Sequence, residues 1–144
     1  MVDRLRVLVD TNVILDVLQV RQPFYEDSAN VVDAVARQQV AGLLAAHTIT
    51  NLFYIMSRFQ NRATTAATLT HLLSTFNVGM IDDTVIRQAL GWGWHDFEDA
   101  VQMATAVHEN IDYIVTRNVK DFETQPVPVL LPSGLLAILS QQRK

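Results

Sequence analysis

The sequence predicts an α/β fold built on a parallel central sheet. Two features lead there. Short β-branched apolar runs alternate along the chain with longer stretches whose apolar residues recur at helical spacing. Strands that alternate with helices pair in parallel through right-handed crossovers, which puts helices on both faces of a sheet. The size agrees: 144 residues, 49% apolar and 18% charged, suit one domain over 1–144 with a substantial core.

Leu5-Arg6-Val7-Leu8-Val9 reads as a buried strand ending at Asp10. Val13, Ile14, Val17 and Leu18 then give helical spacing, which Pro23 interrupts. A second helix is expected over 25–38, with Ala29, Val32, Val35 and Ala36 on one face. The run 41–46 is the second strand, and Thr48 opens a helix carrying Leu52, Phe53, Ile55, Met56 and Phe59. A helix over 64–75, a short strand over 78–81 and a helix over 83–90 follow. Gly91-Trp92-Gly93-Trp94 is expected to break the pattern, and Asp96 to open a helix bearing Phe97, Ala100, Met103, Ala104 and Val107. Strands are expected at 113–116 and 127–130, the latter at an edge because Pro128 lacks an N–H. A last helix covers 133–140.

Composition removes several functions. Eleven Lys and Arg against fifteen Asp and Glu give a net charge of −4, which argues against binding nucleic acid through a wholly basic surface. Without cysteine there are no disulfides, thiolate metal sites or Cys nucleophiles. No apolar run reaches the ~18 residues of a membrane span. Asp3, Arg4 and Arg6 argue against a leader, so a cytoplasmic protein without a membrane partner is expected. A Gly-x-x-x-x-Gly-Lys phosphate loop is missing.

In open α/β sheets, ligands bind outside the carboxyl ends of the strands. The first strand runs into Asp10-Thr11-Asn12, and the second leads through His47 and Thr48 to Asn51. The fourth runs into Thr116-Arg117-Asn118, with Asp121 just beyond, and the helix before it opens Asp96-Phe97-Glu98-Asp99. Singly, each has an ordinary use. Asp10 suits an N-cap, Asp96 and Asp99 a helix dipole, and Asn118 and Asp121 a turn. Glu98 faces another side from Asp99 and reads as solvated or as a partner for a basic residue. Together they imply more, because carboxylates within ~4 Å repel by roughly 4 kcal/mol at an effective dielectric of 20. A cation among them resolves the conflict. All-oxygen ligands suit Mg²⁺ or Mn²⁺, and such an ion suits phosphodiester hydrolysis.

Asp10-Thr11-Asn12, Asp96-Phe97-Glu98-Asp99-Ala100 and Thr116-Arg117-Asn118-x-x-Asp121-Phe122, in this order, resemble a PIN domain of the small bacterial group related to VapC toxins. The resemblance implies a three-layer α/β/α sandwich with strand order 3-2-1-4-5 and an Mg²⁺- or Mn²⁺-dependent ribonuclease. It also implies an RNA substrate, an antitoxin partner and a homodimer. On this pattern Asp10 and Asp99 are catalytic acids and metal ligands, with Asp96 as an accessory acid. Asn118 takes a position the family fills with Asp or Asn, and Asp121 stands nearby as a further metal ligand. Thr11, Asn12, Asn51 and Thr116 are expected to orient the acids from behind. Arg117 and Lys120 are candidates for phosphate contacts.

The departure is Asn51, where the family usually has Glu; an amide offers a metal only its carbonyl oxygen. A second expectation is therefore a catalytically weakened PIN domain that binds RNA or protein. A haloacid-dehalogenase-type phosphatase ranks last, because it needs Asp two residues after Asp10 and this chain has Asn12. Arg58 and Arg62, one helical turn apart, read as a solvated face, and Trp92 and Trp94 as packing for a loop. His95 is expected at the surface beside Asp96, and the helices between 25 and 75 to form the dimer or partner surface.

Overall fold

Alternation along the strands decides the architecture. In the computed structural model, which describes residues 4–142 and so leaves Asp3 outside, β1 (Leu5–Val9) buries Val7, Leu8 and Val9 completely. Val7 and Val9 join one apolar cluster and Leu8 the other, as the two-residue period of a strand requires. In β2 (Val40–Ala45), Leu44 joins the first cluster, and Leu43 and Ala45 the second; in β4 (Tyr113–Val115), Val115 and Ile114 divide the same way. Each cluster is closed by helices. The first takes residues from α1 (Thr11–Leu18), α2 (Tyr25–Ala36), α3 (Ala46–Met56), α4 (Arg62–Leu73) and α7 (Pro132–Gln142). The second is closed by α5 (Asp83–Trp92) and α6 (Phe97–His108). The result is the expected three-layer sandwich.

All strand pairs are parallel, in the order β3-β2-β1-β4-β5, with β3 at Asn77–Gly79 and β5 at Val129–Leu130. The chain winds outward from β1 through β2 to β3, then returns to β4 on the other side of β1. The point of reversal therefore lies between β1 and β4, where a crevice opens at the carboxyl ends. Asp10 N–H donates to the Val115 carbonyl at 2.9 Å and fixes that point.

Local chemistry moves several boundaries. α3 starts at Ala46, two residues before Thr48, because β2 passes directly into the helix at Ala45. It ends at Met56, so Phe59 lies outside the helix and is exposed, not part of its apolar face. Arg58 follows the helix end and Arg62 opens α4, so they do not share one helical turn. α4 starts earlier than expected because the Asn61 side chain accepts from Thr64 N–H at 2.7 Å and caps it. α5 continues through Gly91 and Trp92; it stops at Gly93, whose φ of +66° is the left-handed turn that glycine adopts freely. α2 stops at Ala36, before Gln38.

β5 is short and at an edge, as Pro128 requires, although the Pro128 carbonyl still accepts from Ile114 N–H at 3.0 Å. Gly42 allows the close packing of α2 on β2, since a Cβ there would stand 2.7 Å from Val35 Cγ1 and 2.8 Å from Phe76 Cδ1. Among the described residues, no helix is long and apolar enough to cross a membrane.

Candidate functional site

Asp10 ends the central strand and caps α1, so one side chain serves both elements. Its Oδ1 accepts from Thr11 N–H at 2.7 Å and from Gln102 Nε2 at 2.6 Å, and its Oδ2 accepts from the Thr116 hydroxyl at 2.7 Å. Three of the roughly four acceptor sites of a carboxylate are thereby used. The donors come from α1, α6 and the end of β4, so three elements lock the carboxylate in place. Asn12 reaches the same knot, its Nδ2 standing 3.4 Å from Thr116 Oγ1. Thr11 shares a 3.0 Å hydroxyl contact with Thr48.

Asp10, Thr11, Asn12 and Asn51 line one cavity of about 450 Å³ together with Asp96, Asp99, Asn118 and Asp121. The crevice rule thus brings together residues spread over more than 110 positions of the chain. Asp96 caps α6, its Oδ1 accepting from Asp99 N–H at 3.1 Å, which turns Asp99 into the first helical turn facing the cavity. Burial, with Asp10, Asp96, Asp121 and Glu98 nearby, pushes the Asp99 carboxyl up to about 8. Among the described residues, no three His, Asp or Glu side chains converge as a ready metal cage. The carboxylates line the walls without closing on one point.

Glu98 also lines this cavity, and its partner is not a basic residue: Asn51 Nδ2 donates to Glu98 Oε2 at 3.3 Å. The α3 wall is neutral at Asn51, and Glu98 brings a carboxylate up to it from α6.

Arg117 and Lys120 do not line the cavity. Arg117 Nε donates to Asp16 Oδ2 at 2.7 Å and its guanidinium lies 4.0 Å from the Phe24 ring centroid. Lys120 lines a neighbouring cavity of about 440 Å³ with His95, Asp96, Asp121 and Glu123. Trp92 and Trp94 stack at 5.5 Å, and Trp94 packs edge-on against Phe122 at 6.0 Å, so both serve packing.

Two buried polar residues at or next to the site escape a reading of the strand ends. Gln102 donates to Asp10 while its Oε1 is buried without a partner. Asp16 is fully buried and takes both Arg117 and the Ser28 hydroxyl, at 3.0 Å. Each is a polar residue inside an apolar helical run, and that was the available signal. His47 keeps both ring nitrogens buried and unpartnered; burial lowers its pKa against the pull of Glu98, Asp10 and Asp96.

A sequence profile of the PIN domain matches residues 6–120. No curated protein sequence matches the chain. Among solved structures, the chain is similar to a toxin–antitoxin complex from Klebsiella pneumoniae, with TM-score 0.68, 22% identity, and 88% of this chain and 97% of that chain covered. It is similar to VapBC-1 from nontypeable Haemophilus influenzae, with TM-score 0.70, 16% identity and coverage of 90% and 99%. It is also similar to VapC20 from Mycobacterium tuberculosis, a toxin that cleaves the sarcin–ricin loop, with TM-score 0.60, 17% identity and coverage of 75% and 86%. At these identities the likeness is one of fold.

Proposed function

The chain belongs to the PIN-domain family, and from that premise we propose that it is an Mg²⁺- or Mn²⁺-dependent endoribonuclease. In this reading it is the toxin of a toxin–antitoxin pair, acts in the cytoplasm, works as a homodimer and is held in check by an antitoxin protein. The observation that carries the reading is the cavity that gathers Asp10, Asp96, Asp99 and Asp121, in which burial first, and then these acidic neighbours, push the Asp99 carboxyl up to about 8. Groups so perturbed, lining a cleft, are candidates for chemistry.

The residues fit a hard divalent cation. Asp10 and Asp99 would supply carboxylates to it, and the buried, unpartnered Oε1 of Gln102, from the same cavity lining, would supply a neutral oxygen. Asp96 and Asp121 add negative charge at the walls. When bound, the cation would compensate the charge of the phosphodiester and activate water for its hydrolysis. The protein's own part is positional. Thr11, Gln102 and Thr116 hold Asp10 rigid, Asp96 orients Asp99 through the helix cap, and Asn12 supports Thr116. Asn118 stands at the cavity wall, where it can orient a phosphate or water by hydrogen bonding.

A second reading, the weakened domain, is motivated by Asn51. The Asn51–Glu98 contact weighs against it, because Glu98 restores a carboxylate beside the neutral position. Calorimetric titration of Mg²⁺ and Mn²⁺ into the wild type and an Asp10→Ala, Asp99→Ala double variant, beside an RNA cleavage assay, tests both. Cation binding and cleavage in the wild type, both lost in the variant, are expected. No binding at millimolar cation with no cleavage overturns the nuclease reading, and a gain of cleavage above tenfold in Asn51→Glu establishes the weakened one.

A further inference from the structure

All fifteen acidic residues fall in two blocks, six from Asp3 to Asp33 and nine from Asp82 to Glu123. Between 34 and 81 there is none. That interval holds α3, which forms one wall of the acidic cavity through Asn51, Tyr54 and Ile55, and the corner that leads from α3 into α4. Tyr54 lies one helical turn beyond Asn51 and is 66% exposed, while Phe59, at the corner, is 75% exposed. The Arg58 guanidinium lies 5.3 Å from the Tyr54 ring centroid. Four other arginines, at positions 6, 37, 87 and 117, pair with acids; Arg58 and Arg62 have no acidic partner among the described residues.

Tyr54 thus stands at the wall of a cavity lined with carboxylates, with Arg58 over its ring, and the chain continues from it to the exposed Phe59 and to Arg62. Such a cavity repels phosphates until a cation enters it, so a polyanion needs its grip elsewhere. Aromatic faces beside arginines are the means by which proteins hold single-stranded nucleic acid, through base stacking and phosphate contacts. We propose that Tyr54 and Arg58, continued by Phe59 and Arg62, form a subsite for a single-stranded RNA segment that runs along α3 into the acidic cavity. The Tyr54 ring stacks on a base, and the two arginines take backbone phosphates. The subsite rests on the nuclease reading for its link to cleavage, but its RNA affinity does not. A polyanion is favoured over the same corner of a second copy by the charge: residues 34–81 of a copy carry no acid to meet Arg58 and Arg62, whereas RNA carries a phosphate at every nucleotide.

The test is fluorescence anisotropy of a short fluorescein-labelled single-stranded RNA in EDTA, with Tyr54→Phe, Tyr54→Ala, Arg58→Ala and Arg62→Ala, and sedimentation velocity on the same samples. Tyr54→Phe is expected to keep its affinity and Tyr54→Ala to lose about tenfold. Arg58→Ala and Arg62→Ala should each flatten the salt dependence by roughly 0.7 in logarithmic slope. With cation present, Tyr54→Ala should raise KM more than it lowers kcat, and cation binding by calorimetry should not change. Wild-type affinity in Tyr54→Ala and Arg58→Ala overturns the subsite. So does a change in sedimentation without a change in RNA affinity, which would make the corner a face between copies. Loss of RNA binding in Tyr54→Ala by a protein that neither binds cation nor cleaves supports the subsite and removes the nuclease reading alone.

Discussion

Asp99 keeps its proton up to about pH 8 in the folded chain, against an ordinary value of 3.8. Between about pH 4 and pH 8 the unfolded chain has released this proton and the folded chain still holds it, so stability falls as pH rises through that window. In EDTA, Asp99→Asn is therefore expected to raise the melting temperature by several degrees at pH 8 and by less at pH 5. A divalent cation should stabilise the wild type at pH 8 and do little for the variant, which differential scanning calorimetry can follow. Thr116 offers a second test at this scale. Thr116→Val keeps the shape and removes the 2.7 Å donor to Asp10, and urea unfolding should show a loss of about 1–3 kcal/mol. Asp10 and Asp99 at the cavity, and Thr116 behind it, were legible because they follow recognisable strand ends or helix starts. Gln102 was not, since its role depends on α6 lying against β1 and no local pattern states which helix covers which strand.

At the scale of elements, the Asp16–Arg117 pair joins α1 to the turn after β4, and the Ser28 hydroxyl adds α2 to the same knot. Removing one partner of a buried pair leaves the other charged and unpaired. Arg117→Ala is expected to cost about 3 kcal/mol in denaturant unfolding. Arg117→Met in an Asp16→Leu background should recover most of it. Asn61→Ala should cost about 1 kcal/mol by removing the α4 cap, measured the same way. The start capped by Asp96 was legible, whereas the start of α4 was placed two residues late despite its Asn61 cap; the start of α3 was also missed, because Ala45 passes from strand to helix with no side-chain cap. The end of α5 was misplaced at Gly91 because two glycines stand two residues apart and only Gly93 takes the left-handed turn.

Across the molecule, the strand order 3-2-1-4-5 makes β1 the element most enclosed, paired on both edges and buried on both faces. Its amides are expected to exchange with deuterium at the rate of global unfolding, and those of the edge strands β3 and β5 well before. The alternation of runs predicts the layers, but not where each helix ends or which charges remain unpaired; the acid-free interval of 34–81 gains its meaning only when α3 is seen beside the cavity.

The hydrogen bonds on Asp10 bear on how the protein is made. The first strand emerges from the ribosome before its partners: the amide of Gln102 and the hydroxyl of Thr116 follow about a hundred residues later. β4, which must insert beside β1, comes with them. A nascent chain shorter than that has an Asp10 with no fixed orientation and no crevice around it. If the chain cuts RNA, its unfinished form leaves the message under translation intact, because the cutting edge is assembled only when the last third of the described chain is in place.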